Sequence, residues 1–136
     1  MPTTLATQLS FYIANEPGVI GRVCQQMAEH SINIEGIQAA EGQLEQLLRL
    51  TPDDPDKAEA ALRKMGVELV SREKVLRVPI RRGEGALAEI AKRLGQHGIN
   101  IDSFFAIEPA DGDSNCLVYI NASDPEKGFE VLKSGS

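Results

Sequence analysis

The stretch Gly18–Glu41, GVIGRVCQQMAEHSINIEGIQAAE, returns at Gly85–Glu108 as GALAEIAKRLGQHGINIDSFFAIE, displaced by 67 residues and without a gap. Seven of its 24 positions are identical: Gly18/Gly85, His30/His97, Ile32/Ile99, Asn33/Asn100, Ile34/Ile101, Ala39/Ala106 and Glu41/Glu108. Identity at that level is weak alone, and the apolar spacing supplies the rest. Ile20, Val23, Cys24 and Met27 fall on Leu87, Ile90, Ala91 and Leu94, the i, i+3, i+4, i+7 pattern of one buried helix stripe in each copy. A fixed displacement of this kind means that one supersecondary unit is present twice. Further on, Asp54-Pro55, Lys57 and Leu62 fall on Asp124-Pro125, Lys127 and Leu132 at a displacement of 70, so the second copy has 70 − 67 = 3 extra residues between these anchors. The polar run Asp111-Gly112-Asp113-Ser114 accommodates them as a longer hairpin loop.

Working outward, each copy has a readable order of elements. In the first, Leu9, Phe11 and Ile13 alternate with Ser10, Tyr12 and Ala14, the period of a half-buried strand. A helix follows to about His30, with Asn15 as its expected cap and Pro17 in its first turn. Ile32-Asn33-Ile34 opens a second strand, Leu44–Leu50 a third, Asp53–Asp56 a second helix ending near Gly66, and Val67–Val70 a fourth strand. Two helices must cover one face of a four-stranded antiparallel sheet, because neither buries its stripe alone. The expected fold is α+β, two ferredoxin-like βαββαβ units in tandem, over residues 5–72 and 73–136. In the second copy a strand near Val75–Ile80, a helix over Gly85–Gln96, strands near Ile99–Ile107 and Cys116–Asn121 and a helix over Pro125–Lys133 repeat the order. Nothing then corresponds to Val67–Val70. The second unit is therefore expected to lack its fourth strand and to present an open sheet edge, which invites another chain and points to a homodimer or larger assembly.

Composition narrows the function classes. The chain has 136 residues, 42% hydrophobic and 25% charged, the profile of a folding globular chain. Its net charge of −6 argues against phosphate backbones and anionic membranes. Aromatic residues reach only 4% with no Trp, against an RNA-binding sheet, and no GxxxxGK phosphate loop is present. No apolar run approaches the roughly 18 residues of a spanning helix, and Met1–Leu9 lacks the regions of a signal peptide, so a cytoplasmic location is expected. Cys24 and Cys116 stand far apart without metal or disulfide spacing. No cofactor and no metal is expected.

The sequence Asn15-Glu16-Pro17-Gly18-Val19-Ile20 after a strand, followed by an apolar helix and Ser31-Ile32-Asn33-Ile34, resembles the opening of an ACT domain, the small amino-acid-sensing module of metabolic enzymes. Gly85-Ala86-Leu87 and Gly98-Ile99-Asn100-Ile101 resemble the same module, and together the copies span about Gln8 to Leu132. The resemblance implies regulatory binding of a free amino acid between the loop before the first helix of one unit and the second-strand region of its neighbour. It maps the family's loop asparagine and glycine to Asn15 and Gly18, with Pro17, Val19 and Ile20 around them, and the second asparagine to Asn33. In the second copy Gly85 and Asn100 are kept, whereas Arg82 replaces the loop asparagine and Glu84 the proline.

The residues themselves support that chemistry. A helix start with a glycine offers backbone N–H groups to a carboxylate and lets a ligand approach closely, and Asn15 and Asn33 supply amides that both donate and accept. Arg82 is a candidate partner for a carboxylate. Plainer roles stand beside these: a cap for Asn15, a local backbone bond for Asn33 and Asn100, a tight loop for Gly18. His30 and His97 close equivalent helices, where an imidazole bonds the last carbonyls. The leading functional reading is a stand-alone, non-enzymatic regulator that binds an amino acid. The alternative is a regulatory subunit similar to the small subunit of acetolactate synthase, docking a metabolic enzyme without a ligand of its own.

Overall fold

The computed structural model describes residues 2–81, 85–107 and 116–133. Its elements run β1 (Thr4–Ala14), α1 (Val19–Glu29), β2 (Ile34–Ala40), β3 (Glu45–Pro52), α2 (Pro55–Lys64), β4 (Leu69–Ile80), α3 (Ala86–Gln96), β5 (Ile101–Ile107), β6 (Cys116–Ala122) and α4 (Pro125–Lys133). The chain divides into two compact units, one over Thr7–Glu73 and one from Lys74 onward that also takes in the residues up to Ala6. Both are ferredoxin-like α+β sandwiches. Within the first the strands lie in the order β2-β3-β1-β4, and within the second β1-β4-β6-β5.

The duplication is visible in the strand registers. In the first unit β1 pairs antiparallel with β3 as Leu9↔Leu50, Phe11↔Leu48 and Ile13↔Gln46. In the second, β4 pairs antiparallel with β6 as Leu76↔Ile120, Val78↔Val118 and Ile80↔Cys116. The displacements are again 67 on one strand and 70 on the other. The outer pairs agree as well: Ile34↔Pro52 with an irregularity before Gly36, and Ile101↔Ala122 with one before Ser103. The three extra residues thus fall between Ile107 and Cys116, and the loop expected at Asp111–Ser114 lies outside the described residues.

Each unit has its own core. In the first, Leu9, Phe11 and Ile13 of β1 and Leu48 and Leu50 of β3 bury against Val23 and Met27 of α1 and Ala58, Ala61 and Leu62 of α2. In the second, Leu76, Val78, Val118 and Ile120 bury against Leu94 of α3 and Leu132 of α4. Burial of such side chains, at roughly 1.5–3 kcal/mol each, is what holds the helices to the sheet.

Two expectations about the strands change. Val67–Val70 and Val75–Ile80 were expected as separate strands joined at Ser71–Lys74, whereas Leu69–Ile80 is one strand of 12 residues. The polar stretch still alternates, with Arg72 and Lys74 exposed and Ser71 and Glu73 half-buried, so its ladder continues while its side chains stay wet. No strand follows α4 among the described residues. The expected bare edge is not found, however, because the start of β1 belongs to the second unit and lies beside β4, with Leu5 packed on the second core. The N-terminal residues do for the second unit what Leu69–Glu73 does for the first.

Candidate functional site

The four helices begin in two different ways. Asp54 caps α2 by accepting the Lys57 N–H at 3.1 Å, and Asp124 accepts the Lys127 N–H at 3.1 Å at the head of α4. Helices α1 and α3 have no side-chain cap at all. Their cap position is a glycine in the left-handed region, Gly18 with φ 90° and Gly85 with φ 84°, a conformation that costs any residue with a Cβ roughly 1–2 kcal/mol. Inside α1 the Arg22 N–H reaches Gly18 O at 3.0 Å, and in α3 the Glu89 N–H reaches Gly85 O at 2.9 Å. At the head of α1 the Val19 N–H turns back to Glu16 O at 3.3 Å, which leaves the amides of Ile20 and Gly21 without a side-chain acceptor. Val19 and Ile20 are half-buried, and Asn15, Pro17 and Gly18 are exposed.

Asn15 is not the helix cap expected of it. Its Nδ2 donates to Gly42 O at 2.7 Å and Gln43 O at 3.3 Å, and its backbone N–H donates to Leu44 O at 2.8 Å. The side chain fastens the loop before α1 to the β2–β3 turn. Pro17 sits in the turn two residues before α1 and not in the first turn of the helix. Gly42, which the sequence did not single out, anchors the candidate loop through its bond from Asn15 Nδ2. A Cβ there would stand 2.0 Å from Glu45 O, so only glycine lets the turn close onto Asn15. The contact joins residues 27 positions apart, and nothing in the local pattern announces it.

Asn33 and Asn100 occupy matching positions just before β2 and β5. The Asn33 N–H donates to Asp53 Oδ1 at 3.0 Å and its carbonyl accepts the Asp53 N–H at 3.0 Å; Asn100 repeats this with Ser123 Oγ and the Ser123 N–H, both at 2.9 Å. The Asn100 side chain donates to Asp102 Oδ1 at 2.8 Å. Each asparagine backbone is thus spoken for. Within the first unit Gly18 and Asn33 flank opposite ends of α1, whose 11 residues span about 16 Å at ~1.5 Å per residue. One unit alone does not bring them together. Arg82 and Glu84 lie outside the described residues, so of the second copy's candidates Gly85 and Asn100 are placed.

The remaining polar residues have structural partners. His30 Nδ1 contacts Gln26 O and His97 Nδ1 contacts Arg93 O, both at 2.8 Å, so each ring closes its helix by donating to a terminal carbonyl. Arg72 reaches across to α2, meeting Asp56 at 2.7 Å and Glu59 at 2.8 Å. Hydrogen bonds that Arg72 donates to Asp56 and then to Glu59 raise its pKa above the ordinary arginine value. Cys24 and Cys116 are free and half-buried. Among the described residues no three His, Cys, Asp or Glu side chains gather as a metal site, and no helix is long and apolar enough to cross a membrane.

No protein-family model and no curated protein matches the chain. Solved structures do. Protein BT0572 from Bacteroides thetaiotaomicron superimposes with a TM-score of 0.86 at 28% identity, covering 97% of this chain and 89% of that one. The ligand-free regulatory subunit of aspartate kinase from Thermus thermophilus gives 0.71 at 18% identity, over 98% of this chain and 96% of that one. The corresponding subunit from Thermus flavus gives 0.63 at 20%, with the same coverage. The chain has a tandem ACT-type fold. In this fold the uncapped glycine heads of α1 and α3 occupy the loop after the first strand of each unit. The two aspartate-capped helices are the second of each pair.

Proposed function

We propose that this chain is an ACT-family, non-catalytic regulator that binds a free amino acid where the head of α1 meets the second-strand region of a neighbouring ACT unit, and that binding favours one domain or subunit arrangement. The observation that carries this reading is the split among the helix heads: α2 and α4 are capped by Asp54 and Asp124, whereas α1 and α3 begin at a left-handed glycine with no cap. Uncapped amides with a positive dipole end suit a carboxylate. Asn15 Oδ1, fixed by the two bonds from its Nδ2, suits an ammonium group. Asn33 of a second copy would supply the remaining polar group, which makes a homodimer part of the proposal. Signalling requires that the ligand bind one arrangement more tightly than another.

Titration calorimetry of the full chain against the twenty amino acids tests this. At least one should release or absorb heat saturably, and Gly18→Asp should abolish the signal, because an aspartate at a helix head caps it from within and competes with the ligand. A Gly18→Asp protein that binds unchanged moves the site elsewhere, and silence with all twenty removes the sensor reading. A second reading, docking onto a metabolic enzyme, is favoured by the alignment over 96% of the length of two aspartate kinase regulatory subunits. Affinity capture from the source cells checks it: a stoichiometric enzyme retained without added amino acid supports it, and its absence counts against it.

A further inference from the structure

The second unit contains a cavity of about 230 Å³ between the end of β4 and α3, floored by Val78, Ala86, Ile90 and Leu132 and rimmed by Arg81, Glu89 and Arg93. Its origin lies in the duplication. Under the displacement of 67, Phe11 of the first unit becomes Val78 and Val19 becomes Ala86, while Val23 becomes the larger Ile90. The registers confirm the first equivalence, Phe11 lying opposite Leu48 and Val78 opposite Val118. Where the first unit buries an aromatic ring completely, the second holds only a valine, and the branched residue at the helix start is cut to a methyl. The remaining carbons at Ile90 do not replace a ring. Thr3, just before β1, closes another side of the space.

We propose that this cavity is a second binding site, internal to the second unit, for a small branched apolar carboxylate. The floor is aliphatic and sized for such a body: at ~30 Å³ per water the space equals about eight waters, close to a molecule of eight or nine heavy atoms. Two guanidinium groups stand at its rim. Arg93 is steadied by donating to Val131 O, and Arg81 is exposed and has no hydrogen bond or ion pair among the described residues. A guanidinium meets a carboxylate through paired N–H donors, so Arg81 is the anchor and the apolar end points inward. Glu89 at the same rim offers a partner for an ammonium group, which distinguishes an amino acid from the matching 2-oxo acid.

The test uses the full chain, methyl-labelled at isoleucine, with L-leucine and 4-methyl-2-oxopentanoate as probes. Saturable shifts of the Ile80 and Ile90 methyls are expected with at least one; tighter leucine binding assigns the source to amino acids, and tighter oxo-acid binding to keto acids. Writing the first copy's residues into the second, Val78→Phe with Ala86→Val, should fill the space and weaken binding at least tenfold without lowering the unfolding midpoint. Arg81→Gln, a change at an exposed side chain, should weaken both probes about tenfold and keeps the test decisive if the filled variant fails to fold. Gly18→Asp should leave these shifts unchanged, which separates this site from the one at the head of α1. No shift at Ile80 and Ile90 with either probe, equal affinity in the filled or Arg81→Gln proteins, or loss of the shifts in Gly18→Asp would overturn the proposal.

Discussion

In the first unit Phe11 lies opposite Leu48, and both are completely buried; in the second, Val78 lies opposite Val118 on the same ladder position. The helices above them differ in the same sense. On α1 the stripe Ile20, Val23, Cys24 and Met27 is buried or half-buried throughout, whereas on α3 only Leu94 is fully buried and Leu87 remains 38% exposed. Two copies of one pattern have thus kept their backbone while the second has thinned its interior. Ladder hydrogen bonds and helix geometry depend little on side-chain size, so a unit tolerates smaller core residues at a cost in stability and gains space. The comparison separates what maintains the fold from what is available for binding.

The largest expected effect comes from making the first copy like the second. Phe11→Val should cost about 2–4 kcal/mol in a denaturant unfolding experiment, since a buried ring is removed from a packed site that relaxes only partly. A loss below about 1 kcal/mol would mean that Phe11 is no better packed than Val78 and would erase the distinction drawn here. Next come the two glycine heads, where the copies should behave alike. Gly18→Ala and Gly85→Ala should each lower stability by roughly 1–2 kcal/mol, because neither φ suits a residue with a Cβ. The aspartate caps should follow at about 1 kcal/mol each, Asp54→Ala and Asp124→Ala giving similar losses. Asn15→Ala should instead free the Gly42–Leu44 turn, seen as faster amide exchange at the turn with α1 protection retained.

Arg72 should matter least, because its guanidinium is partly open to solvent in both ion pairs, with Asp56 largely exposed and Glu59 half-buried, so that solvent and salt screen it. Arg72→Ala should leave the unfolding midpoint nearly unchanged, and whatever shift appears should vanish in about 1 M salt. The sign of the pH effect follows from its raised pKa. The stabilising interaction is fully present below the ordinary arginine value and is lost only as pH rises through the still higher folded value, so raising pH from about 7 to 10 should not abolish it.

Much of the fold was legible because two signals coincided. The apolar spacing of Ile20–Met27 and Leu87–Leu94 marked the helices, and the identical Ile-Asn-Ile segments marked the strands after them. The displacements of 67 and 70 reappear in the ladders because register follows which side chains face the core. What stayed hidden depends on partners distant in sequence. Ser71–Lys74 looks like a linker because its side chains are polar, yet the strand continues through it. Nothing in the first residues says that Leu5 packs on a core built mainly from residues beyond Lys74. At the candidate site, Gly18 and Gly85 could be picked out because glycine before an apolar helix is a local signal. The cap assigned to Asn15 failed for the opposite reason, since its carbonyl partners lie across the unit on another turn. The empty space at Val78 and Ala86 was readable in principle by subtracting one copy from the other.

The central claim is that the uncapped head of α1 receives the carboxylate of an amino acid. Amide shifts in a nitrogen-labelled full chain, recorded during titration with whichever amino acid binds in calorimetry, test it most directly. The account predicts the largest shifts at Val19, Ile20 and Gly21, with little change at Pro55–Lys64, whose head is already capped by Asp54. Saturable binding that leaves Val19–Gly21 unmoved would contradict it.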